Sequence, residues 1–514
     1  MILLLTLMAV QTPTLLAPPS PRLVIALAVD QLRTDYLVRW RGEFTGGLGM
    51  LLREGVFYRN GLQDHAITET APGHSTMMTG RSPASTNILS NDFGVGDRTA
   101  PLIGSTALGA SPRRLSGTTL YDWMLARDSA TRALSVSRKD RGAILPIGRA
   151  RAPVFWYSQG RFTTSRYYLD SLPNWLRVWN ARDPVAKLAG SAWTLSRPAS
   201  AYPERDDRPF EFGGKSNVFP HLLPSDWTMA SGEIEEYPVI DSLTLDVAWH
   251  GVRSMRIGQR DGVDFLAVSL SATDNVGHRY GPGSREIHDQ LLKLDRWLGV
   301  FFDSLATIVP RDRMIISLTS DHGVTEYPEA GAGGRLSLAA DVRALTSWFR
   351  SRWQVDLGAV TVSGLVLADT SAMSARGIDV DSIAAALAAR VSARPGVRRV
   401  HTPKSLARAR ANDVDAMRWR RQISGRTDWL IAVSTQPGWI WSSGNTSTGH
   451  GTTNPDDVNV PIIIRAPGVT AAQVAGVART IDIAPTLAAL LRITPTQAVE
   501  GIVLPELRPR RTPR

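Results

Sequence analysis

Three apolar runs in this chain each lead into an aspartate, and this pattern constrains the fold more than any other feature. The runs are LVIALAVD, DFLAVSLSATD and MIISLTSD, which lead to Asp30, Asp274 and Asp321. Short apolar runs of this kind are typical of strands that are buried on both faces of a parallel sheet. Helical patterns lie between them, as in HDQLLKLDRWLGVFFDSL, whose apolar residues recur at intervals of three and four. The alternation predicts an α/β fold with a mostly parallel sheet and helices on both faces.

The three aspartates mark the carboxyl ends of the predicted strands, which is where such sheets bind their ligands. Histidines accompany two of them, because His278 follows four residues after Asp274 and His322 follows Asp321 directly. The chain contains no cysteine, so any metal ion must be held by nitrogen and oxygen ligands. Carboxylate and imidazole groups placed repeatedly after buried strands therefore predict a metal site at this edge of the sheet.

Two long stretches interrupt the strand and helix alternation, at about 150–235 and about 335–445. The chain has 514 residues and no internal repeat, so we expect one large core that carries these stretches as insertions. The second contains VTVSGLVLAD and DSIAAALAARVSA, which predict a small α+β subdomain. Both are candidates for a lid or a substrate cap. In the first, Trp156, Tyr157 and Phe162 are either core residues or contacts to a leaving group, and we favour the core.

The two ends of the chain differ from the predicted catalytic domain, 19–505. Residues 1–18 are apolar up to Val10 and then rich in proline, which favours a secretory signal and a periplasmic or secreted protein. The basic segment expected before the apolar stretch is missing, so a disordered or strand-like N-terminus stays open. Residues 506–514 form a basic tail. No later apolar run approaches eighteen residues, so we expect no transmembrane helix after the signal.

The net charge of +11 favours anionic partners, but the basic residues are spread along the chain. We find neither a zinc-finger spacing nor a basic run with interleaved aromatic residues, so no specific nucleic-acid partner is expected.

Thr70, in the segment ITETAPGHSTMMTG, is a candidate nucleophile. Threonine is an acceptable N-cap and Pro72 suits a first helical turn, so the hydroxyl would stand at the positive end of a helix dipole. An ordinary N-cap threonine has the same pattern, and Thr68 is a rival for the role. His74 could serve the site or simply pack inside the helix. His450 lies in a Gly/Thr/Ser loop and, taken alone, is an exposed loop histidine.

Seven segments together resemble the alkaline phosphatase superfamily. In chain order they are VDQLRTDYL, TETAPGHSTMMTG, ILSNDFG, SRKDRGAILP, TDNVGH, TSDHG and STGHGTTNPDD. The similarity is greatest to the PafA-type zinc-dependent alkaline phosphatases, which use a threonine nucleophile. It extends over nearly the whole chain after the predicted signal and is weakest in the two insertions. The implied fold is a three-layer α/β sandwich with inserted cap subdomains.

The resemblance implies two Zn²⁺ ions and a phosphoryl-binding set. The implied ligands are Asp274, His278 and His450 for one ion, and Asp30, Asp321, His322 and the Thr70 oxygen for the other. Asn91, Lys139 and Arg141 are implied to contact the non-bridging phosphoryl oxygens. If SRKDR is extended, Lys139 and Arg141 project to the same side and can reach one phosphate together. In isolation that segment could equally be a solvated charge run, and the same metal ligands also accept manganese or iron.

The implied activity is that of an alkaline phosphatase, a phosphate monoester hydrolase with a phosphothreonine intermediate. We expect small phosphorylated metabolites as substrates, over a broad range, and inorganic phosphate as product. Related phosphodiesterases keep the threonine and the metals but lack an equivalent Lys/Arg pair. A phosphodiesterase or nucleotide pyrophosphatase on the same scaffold is the nearest alternative. A non-catalytic phosphate- or metal-binding protein is the second, whereas a sulfatase is disfavoured because TAPGH lacks the residue that formylglycine requires.

Overall fold

A nine-stranded sheet forms the centre of the computed structural model, which describes residues 19–354, 356, 358–442 and 447–508. The predicted signal at 1–18 and the tail from 509 onward lie outside the described residues. The strands are β1 (Leu23–Val29), β2 (Val56–Leu62), β3 (Ala133–Ser137), β4 (Val154–Ser158), β5 (Arg161–Thr163), β6 (Ala192–Trp193), β7 (His221–Leu222), β8 (Asp264–Leu270), β9 (Met314–Thr319), β10 (Gly334–Leu336), β11 (Val360–Val362), β12 (Leu365–Leu367), β13 (Val397–His401), β14 (Trp429–Thr435), β15 (Trp439–Trp441), β16 (Asn459–Arg465) and β17 (Ala472–Arg479).

Helices connect most of these strands. The α-helices are α1 (Thr34–Arg39), α2 (Gly47–Glu54), α3 (Thr70–Met77), α4 (Pro83–Thr86), α5 (Leu120–Arg127), α6 (Asp140–Ile147), α7 (Asn174–Ala181), α8 (Pro184–Leu188), α9 (Trp227–Glu233), α10 (Val239–Met255), α11 (Ala272–Tyr280), α12 (Arg285–Ala306), α13 (Ala339–Trp353), α14 (Thr370–Ser374), α15 (Val380–Ser392), α16 (Pro403–Arg408), α17 (Val414–Gln422), α18 (Pro455–Val458) and α19 (Ile483–Leu491). Short 3-10 turns lie at Arg41–Glu43, Ala199–Ala201, Glu211–Gly214, Ile234–Glu236, Arg311–Arg313, Pro328–Ala330, Thr480–Asp482 and Pro505–Leu507. None of the helices in the described part of the chain is both long and apolar enough to cross a bilayer.

The central sheet has the strand order β17-β2-β16-β9-β1-β8-β3-β4-β5. The run from β9 through β1, β8 and β3 to β4 is parallel throughout, whereas β16 and β5 are antiparallel to their neighbours. The three apolar runs that precede the aspartates are β1, β8 and β9, and they lie side by side. The predicted mostly parallel sheet is therefore confirmed.

The sheet has a separate hydrophobic cluster on each face. Along β1, Leu23, Ile25 and Leu27 belong to one cluster, while Val24 and Ala26 belong to the other. Helices α10 and α12 pack on the first face, and α3, α5, α6 and α19 pack on the second. Each fully buried Leu, Ile or Val side chain contributes roughly 1.5–3 kcal/mol, so both layers hold the strand ends firmly in place. This arrangement is the three-layer α/β sandwich that the resemblance implied.

The stretch at about 335–445 contains a sheet and a core of its own. Strands β11, β12, β14 and β13 form a four-stranded antiparallel sheet, and α13 and α15 supply residues to its hydrophobic cluster. The segment VTVSGLVLAD is a hairpin, β11–β12, because Ser363 and Gly364 both adopt positive φ and turn the chain. We call this stretch the inserted subdomain; its exact boundaries stay a prediction.

The stretch at about 150–235 begins inside the central sheet, because β4 extends the sheet beyond β3. Trp156, Tyr157 and Phe162 are all buried there, as the interpretation of them as core residues requires. Residues from Leu176 to Ile234 then pack on the first hydrophobic cluster. At the other end of the chain, Leu507 is buried in the second cluster, so ordered packing continues two residues into the predicted tail.

Glu211 lies in the stretch at about 150–235, and its ionisation makes the stability of the fold depend on pH. Burial, reinforced by the negative charge of Glu286, raises its pKa to about 9, although Arg208 lies 3.1 Å away and opposes the shift. Between its ordinary pKa of 4.5 and about 9, Glu211 is protonated in the folded chain and ionised in the unfolded chain. Stability therefore falls as pH rises through this interval, by up to about 1.4 kcal/mol per pH unit.

We expect Glu211→Gln to remove this contribution, so that the variant gains thermal stability over the parent protein as pH rises from 5 to 9. Calorimetric Tm values at pH 5, 7 and 9 would measure the effect. Asp261→Asn is a suitable control, since that side chain is 96% exposed. A difference between Glu211→Gln and parent that does not change with pH would contradict the expectation.

Candidate active site

Four adjacent parallel strands bring charged side chains to one edge of the central sheet. In spatial order β9, β1, β8 and β3 are followed by Asp321, Asp30, Asp274 and Lys139. All four side chains are buried, although the strands come from distant parts of the sequence. The structure thus brings the strand-end aspartates together at one edge of the sheet, as the sequence analysis predicted.

The first group of potential metal ligands is formed by Asp274, His278 and His450. Asp274 and His278 lie one turn apart on α11 and share a face of that helix. His278 Nε2 is 3.3 Å from Asp274 Oδ1 and 3.2 Å from His450 Nε2, and His450 Nε2 is 3.7 Å from Asp274 Oδ1. Three potential metal-ligating atoms therefore lie close enough together to bind one cation.

The second group contains Asp30, Asp321 and His322, all fully buried. His322 Nε2 lies 3.5 Å from Asp30 Oδ1 and 3.7 Å from Asp321 Oδ2. The two groups are adjacent, because the His322 and His450 rings stack with centroids 3.6 Å apart. His322 also falls within 4.8 Å of the donor atoms of Asp274 and His450, so the structure places it between the two groups.

The three histidines present the same nitrogen to the groups. Their Nδ1 atoms lie 2.8 Å from Thr448 O, 2.9 Å from Gly323 O and 2.7 Å from Thr68 O, for His278, His322 and His450 respectively. A carbonyl oxygen can only accept a hydrogen bond, so each Nδ1 carries a proton, and in the neutral form of each ring Nε2 is the nitrogen with the lone pair. This is the arrangement that metal-ligating histidines adopt in proteins.

A metal ion would satisfy buried atoms that the protein leaves without a partner. Asp30 Oδ1 and His322 Nε2 are buried and have no hydrogen-bond partner among the described residues, and Asp321 Oδ2 has His74 Nδ1 3.2 Å away as an ion-pair contact. Such atoms are costly unless they are paired or coordinate a metal. The donor set, carboxylate oxygen and imidazole nitrogen without thiolate, suits a divalent cation such as zinc. The residues present therefore fit the metals that the resemblance implies.

The ionisation of the ligands is controlled by burial and by their mutual charges. Burial, together with the charges of Asp274 and Asp321, raises the pKa of Asp30 to about 6. Burial also acts to raise the pKa of Asp274, but the charges of Lys139 and His278 outweigh it and hold that pKa well below its usual range. Burial lowers the pKa of His450 well below its ordinary value. An unprotonated His450 and an ionised Asp274 are the forms that bind cations.

Lys139 stands between the two ligand groups and the candidate nucleophile. Its Nζ lies 2.6 Å from Asp30 Oδ2, 2.5 Å from Asp274 Oδ2 and 3.4 Å from Thr70 Oγ1. The ammonium group thus neutralises one carboxylate from each group. Among the described residues, it is also the cationic group that donates a hydrogen bond to the Thr70 hydroxyl.

Thr70 is buried at the start of α3, with Glu69 as the N-cap. The prediction that Thr70 is itself the N-cap was wrong by one residue. Its rival, Thr68, uses its hydroxyl to bond Thr452 O at 2.9 Å and to accept from Gly451 N. His74 bonds Thr70 O through Nδ1 and Ser269 Oγ through Nε2, both at 2.9 Å, so it braces α3. Thr70 is thus the threonine of this segment whose hydroxyl faces the charged groups.

The predicted extended geometry of SRKDR was wrong. Strand β3 ends at Ser137 and α6 begins at Asp140, so Lys139 is the helix N-cap and Arg141 lies in the first turn. Asp140 Oδ1 accepts a hydrogen bond from Arg141 N, which favours the helical start. Arg141 Nη1 lies 3.5 Å from Asp140 Oδ1, and the side chain is about a quarter exposed. Lys139 therefore meets the buried carboxylates, while Arg141 lies nearer the solvent.

Asn91 makes hydrogen bonds to the residues on both sides of Thr70. Its Oδ1 accepts a hydrogen bond from Ala71 N at 2.9 Å, and its own backbone N–H donates to Glu69 Oε2 at 2.8 Å. With the amide oxygen held by α3, the amide NH₂ group is the part of Asn91 that remains for a ligand.

Sequence reasoning missed Gln31, which connects the two ligand groups. Its side-chain Nε2 donates to Asp274 Oδ1 at 2.8 Å, and its backbone N–H donates to Asp321 Oδ1 at 3.1 Å. Gln31 adopts a φ of 64°, which is uncommon for a non-glycine residue. Its position directly after Asp30 was the available signal. The histidines outside the predicted set, His65, His74, His221, His250, His288 and His401, belong to neither ligand group in the described part of the chain.

Gly73 lets α3 lie against the backbone of Asp321. A Cβ atom at Gly73 would stand 2.2 Å from Asp321 O, a backbone atom that cannot move without displacing the ligand. We expect Gly73→Ala to lower kcat/KM for the phosphate ester hydrolysis that the resemblance implies by roughly 10²-fold and to weaken binding of the implied metal ions, because a shift of about 1 Å in a reacting group has effects of this size. Steady-state kinetics and metal analysis would measure both. Gly232→Ala, in a helix with open space around the glycine, is the control, and equal behaviour of the two variants would contradict the expectation.

Comparison with known proteins connects this geometry to a family. Residues 24–456 match the profile of type I phosphodiesterase / nucleotide pyrophosphatase. The chain is 31% identical to alkaline phosphatase PhoV of Synechococcus elongatus, over 95% of this chain and 93% of that protein. It is 28% identical to alkaline phosphatase PafA of Elizabethkingia meningoseptica, over 93% and 92%. The crystal structure of wild-type PafA superposes with a TM-score of 0.88 at 27% identity, over 95% of this chain and 99% of that one.

Proposed function

Since the chain belongs to the type I phosphodiesterase / nucleotide pyrophosphatase family, within the alkaline phosphatase superfamily, we propose that it is an alkaline phosphatase that hydrolyses phosphate monoesters. The observation that carries the proposal is the placement of the Thr70 hydroxyl, which stands at a helix N-terminus beside Lys139 and two groups of potential metal ligands. The similarity to PhoV and PafA over nearly the full chain supports the same activity.

Two Zn²⁺ ions are the cofactors we propose. Asp274, His278 and His450 would hold one, and Asp30, Asp321 and His322 with the Thr70 oxygen would hold the other. When bound, zinc supplies Lewis-acid charge that lowers the pKa of a hydroxyl group and offsets charge on the phosphoryl oxygens. The protonated Nδ1 of each histidine supports this assignment, because it fixes Nε2 as the ligand atom.

In the proposed reaction, Thr70 Oγ1 attacks phosphorus in line with the leaving group. The bond from phosphorus to the leaving oxygen breaks as the Thr70–phosphorus bond forms, and the proton that Thr70 gives up passes through solvent to the departing alcohol. Water then attacks the phosphothreonine: its oxygen stays on phosphorus, one of its protons restores the Thr70 hydroxyl, and inorganic phosphate is released. The N–H groups at the start of α3 and the Lys139 ammonium offset the negative charge on the transferred group.

The choice of a monoester over a diester is based on charge. A monoester dianion carries one more negative charge than a diester, and a site with extra cations and donors favours it. We propose that Lys139, Arg141 and the Asn91 amide contact the non-bridging oxygens. Lys139 is buried beside Thr70, and Arg141 lies two residues further along in the first turn of α6. A phosphodiesterase on the same scaffold would not need these groups.

The physiological setting belongs to the same proposal. We propose that residues 1–18 direct export and that the protein acts in the periplasm or outside the cell. Its substrates would be small phosphorylated metabolites, with inorganic phosphate as the product.

Substrate comparison and metal removal test the proposal together. We expect the purified protein to hydrolyse p-nitrophenyl phosphate with a higher kcat/KM than bis-p-nitrophenyl phosphate. Dialysis against a chelator should abolish this activity, and Zn²⁺ should restore it at two equivalents per chain. Diester preference would favour the phosphodiesterase alternative. Absence of hydrolysis, together with fewer than two tightly bound equivalents of metal, would favour a non-catalytic binding protein.

A further inference from the structure

The hairpin β11–β12 of the inserted subdomain reaches the catalytic edge of the sheet. Its turn is Ser363–Gly364, and a Cβ atom at Gly451 would stand 3.0 Å from Ser363 Oγ. The hairpin tip therefore lies directly against the loop that carries His450. Val362 and Leu365, on either side of the turn, pack with Ala66 and Ile67 in one hydrophobic cluster. Apolar contacts alone would thus hold the hairpin to the segment that precedes Thr70.

Ser363 adds a polar contact to this apolar one. Its hydroxyl donates a hydrogen bond to Glu69 Oε1, and the other carboxylate oxygen, Oε2, accepts from Asn91 N at 2.8 Å. Glu69 is the N-cap of α3, yet its side chain makes no capping bond to its own helix. The carboxylate is instead held from two sides, by the inserted subdomain and by the segment of Asn91.

Asn91 is hydrogen-bonded to both residues that flank Thr70. Its backbone bonds the side chain of Glu69, which precedes Thr70, and its side chain bonds the backbone of Ala71, which follows. The position of Asn91 relative to Thr70 is thus determined by two hydrogen bonds, and the first depends on the rotamer of Glu69. The bond from Ser363 to the other oxygen of this carboxylate favours the same rotamer.

Gln422, on α17 of the inserted subdomain, connects the same two segments a few residues earlier. Its Oε1 accepts from Ile67 N at 2.9 Å, and its Nε2 donates to Leu89 O at 2.7 Å. The subdomain therefore bonds the 67–71 and 89–91 segments at two separate points. Contacts from one subdomain to both segments can set the distance between them.

We propose that Ser363 and Glu69 are positioning residues, through which the inserted subdomain holds Asn91 in register with Thr70 for phosphoryl transfer. The inference rests on the proposed function, since it takes Thr70 as the nucleophile and Asn91 as a phosphoryl contact. It assigns the subdomain a part in catalysis in addition to any role as a substrate cap.

The test compares Ser363→Ala, Glu69→Ala and Glu69→Gln in the zinc-loaded full chain, with p-nitrophenyl phosphate as substrate. We expect Ser363→Ala to lower kcat/KM about 10-fold and Glu69→Ala about 10²-fold, since small misplacements of reacting groups have effects of this size. Glu69→Gln should retain most of the activity that Glu69→Ala loses, because the glutamine amide oxygen can accept from Asn91 N and its NH₂ group can donate to Ser363 Oγ. Ser351→Ala, at an exposed position of α13 in the same subdomain, is the matched control.

A double-mutant cycle with Asn91→Ala separates positioning from a general structural role. If Ser363 acts through Asn91, Ser363→Ala should have little further effect once Asn91 is alanine. An equal loss in both backgrounds, or a Ser363→Ala variant as active as Ser351→Ala, would overturn the inference. If Glu69→Ala fails to fold, as its Tm would reveal, Glu69→Gln and Ser363→Ala still decide the question. A Thr70→Ala variant with full activity would instead contradict the proposed function itself.

Discussion

Replacing Thr70 by alanine is expected to lower kcat/KM for p-nitrophenyl phosphate by roughly 10⁴-fold or more, because loss of a catalytic nucleophile has effects of this order. The change removes only a hydroxyl and a methyl group at the start of α3. Of the proposed ligands only the Thr70 oxygen is lost, whereas Asp30, Asp321 and His322 remain, as do Asp274, His278 and His450. We therefore expect metal content and Tm to stay near those of the parent protein. Steady-state kinetics, metal analysis and thermal denaturation of the same preparation would measure all three.

Thr68→Ala is the control for this experiment. The Thr68 hydroxyl is already engaged with Thr452 O and Gly451 N, so its loss should loosen the His450 loop and cost at most about 10-fold. Thr70→Ser, which keeps a nucleophilic hydroxyl, should retain most of the activity. If Thr68→Ala is the more damaging of the two alanine variants, the assignment of the nucleophile must be exchanged.

Replacing Lys139 by alanine is expected to lower kcat/KM for the monoester by roughly 10²- to 10³-fold, the usual effect of removing one preorganised group that stabilises transition-state charge. The loss should be much smaller for bis-p-nitrophenyl phosphate, which carries less charge. Arg141→Ala should change selectivity in the same direction but less, because Arg141 lies nearer the solvent. The ratio of the two kcat/KM values, measured for each variant, reports selectivity independently of enzyme concentration.

Arg138→Ala is the matched control for the cation series. Arg138 is adjacent in sequence, but its guanidinium pairs with Glu235 at 2.8 Å. Its loss should leave the monoester-to-diester ratio unchanged. Equal losses on both substrates in Lys139→Ala would mean that Lys139 supports the carboxylates Asp30 and Asp274 rather than the substrate, and would contradict its proposed role in selectivity.

The sheet and the strand-end aspartates could be predicted from sequence because both follow from local patterns. Strands β1, β8 and β9 are apolar throughout, and Asp30, Asp274 and Asp321 follow them within a few residues. Parallel strands present their carboxyl ends together, so convergence follows without knowledge of the strand order. His278 was accessible for the same reason, since it lies one helical turn from Asp274.

Other parts of the site depend on contacts between distant segments and carry no local signal. His450 joins Asp274 and His278 through a loop whose composition is that of an ordinary surface turn, so only the family resemblance identified it. Helix α6 begins at Asp140 with no side-chain capping bond from its N-cap Lys139, so SRKDR carries no capping signal that would have marked the start of the helix. Ser363 and Glu69 are 294 positions apart in the sequence, and no spacing rule relates them.

The order in which the ligands occur along the chain bears on how the protein acquires its metals. Each ligand group combines residues from segments far apart in sequence, from Asp274 to His450 in the first group and from Asp30 to His322 in the second. A ribosome-bound or partly folded chain that lacks the His450 loop cannot complete the first group. Uptake of the proposed metal ions would thereby be coupled to completed folding, and a bound ion would in turn stabilise the folded chain over the unfolded one.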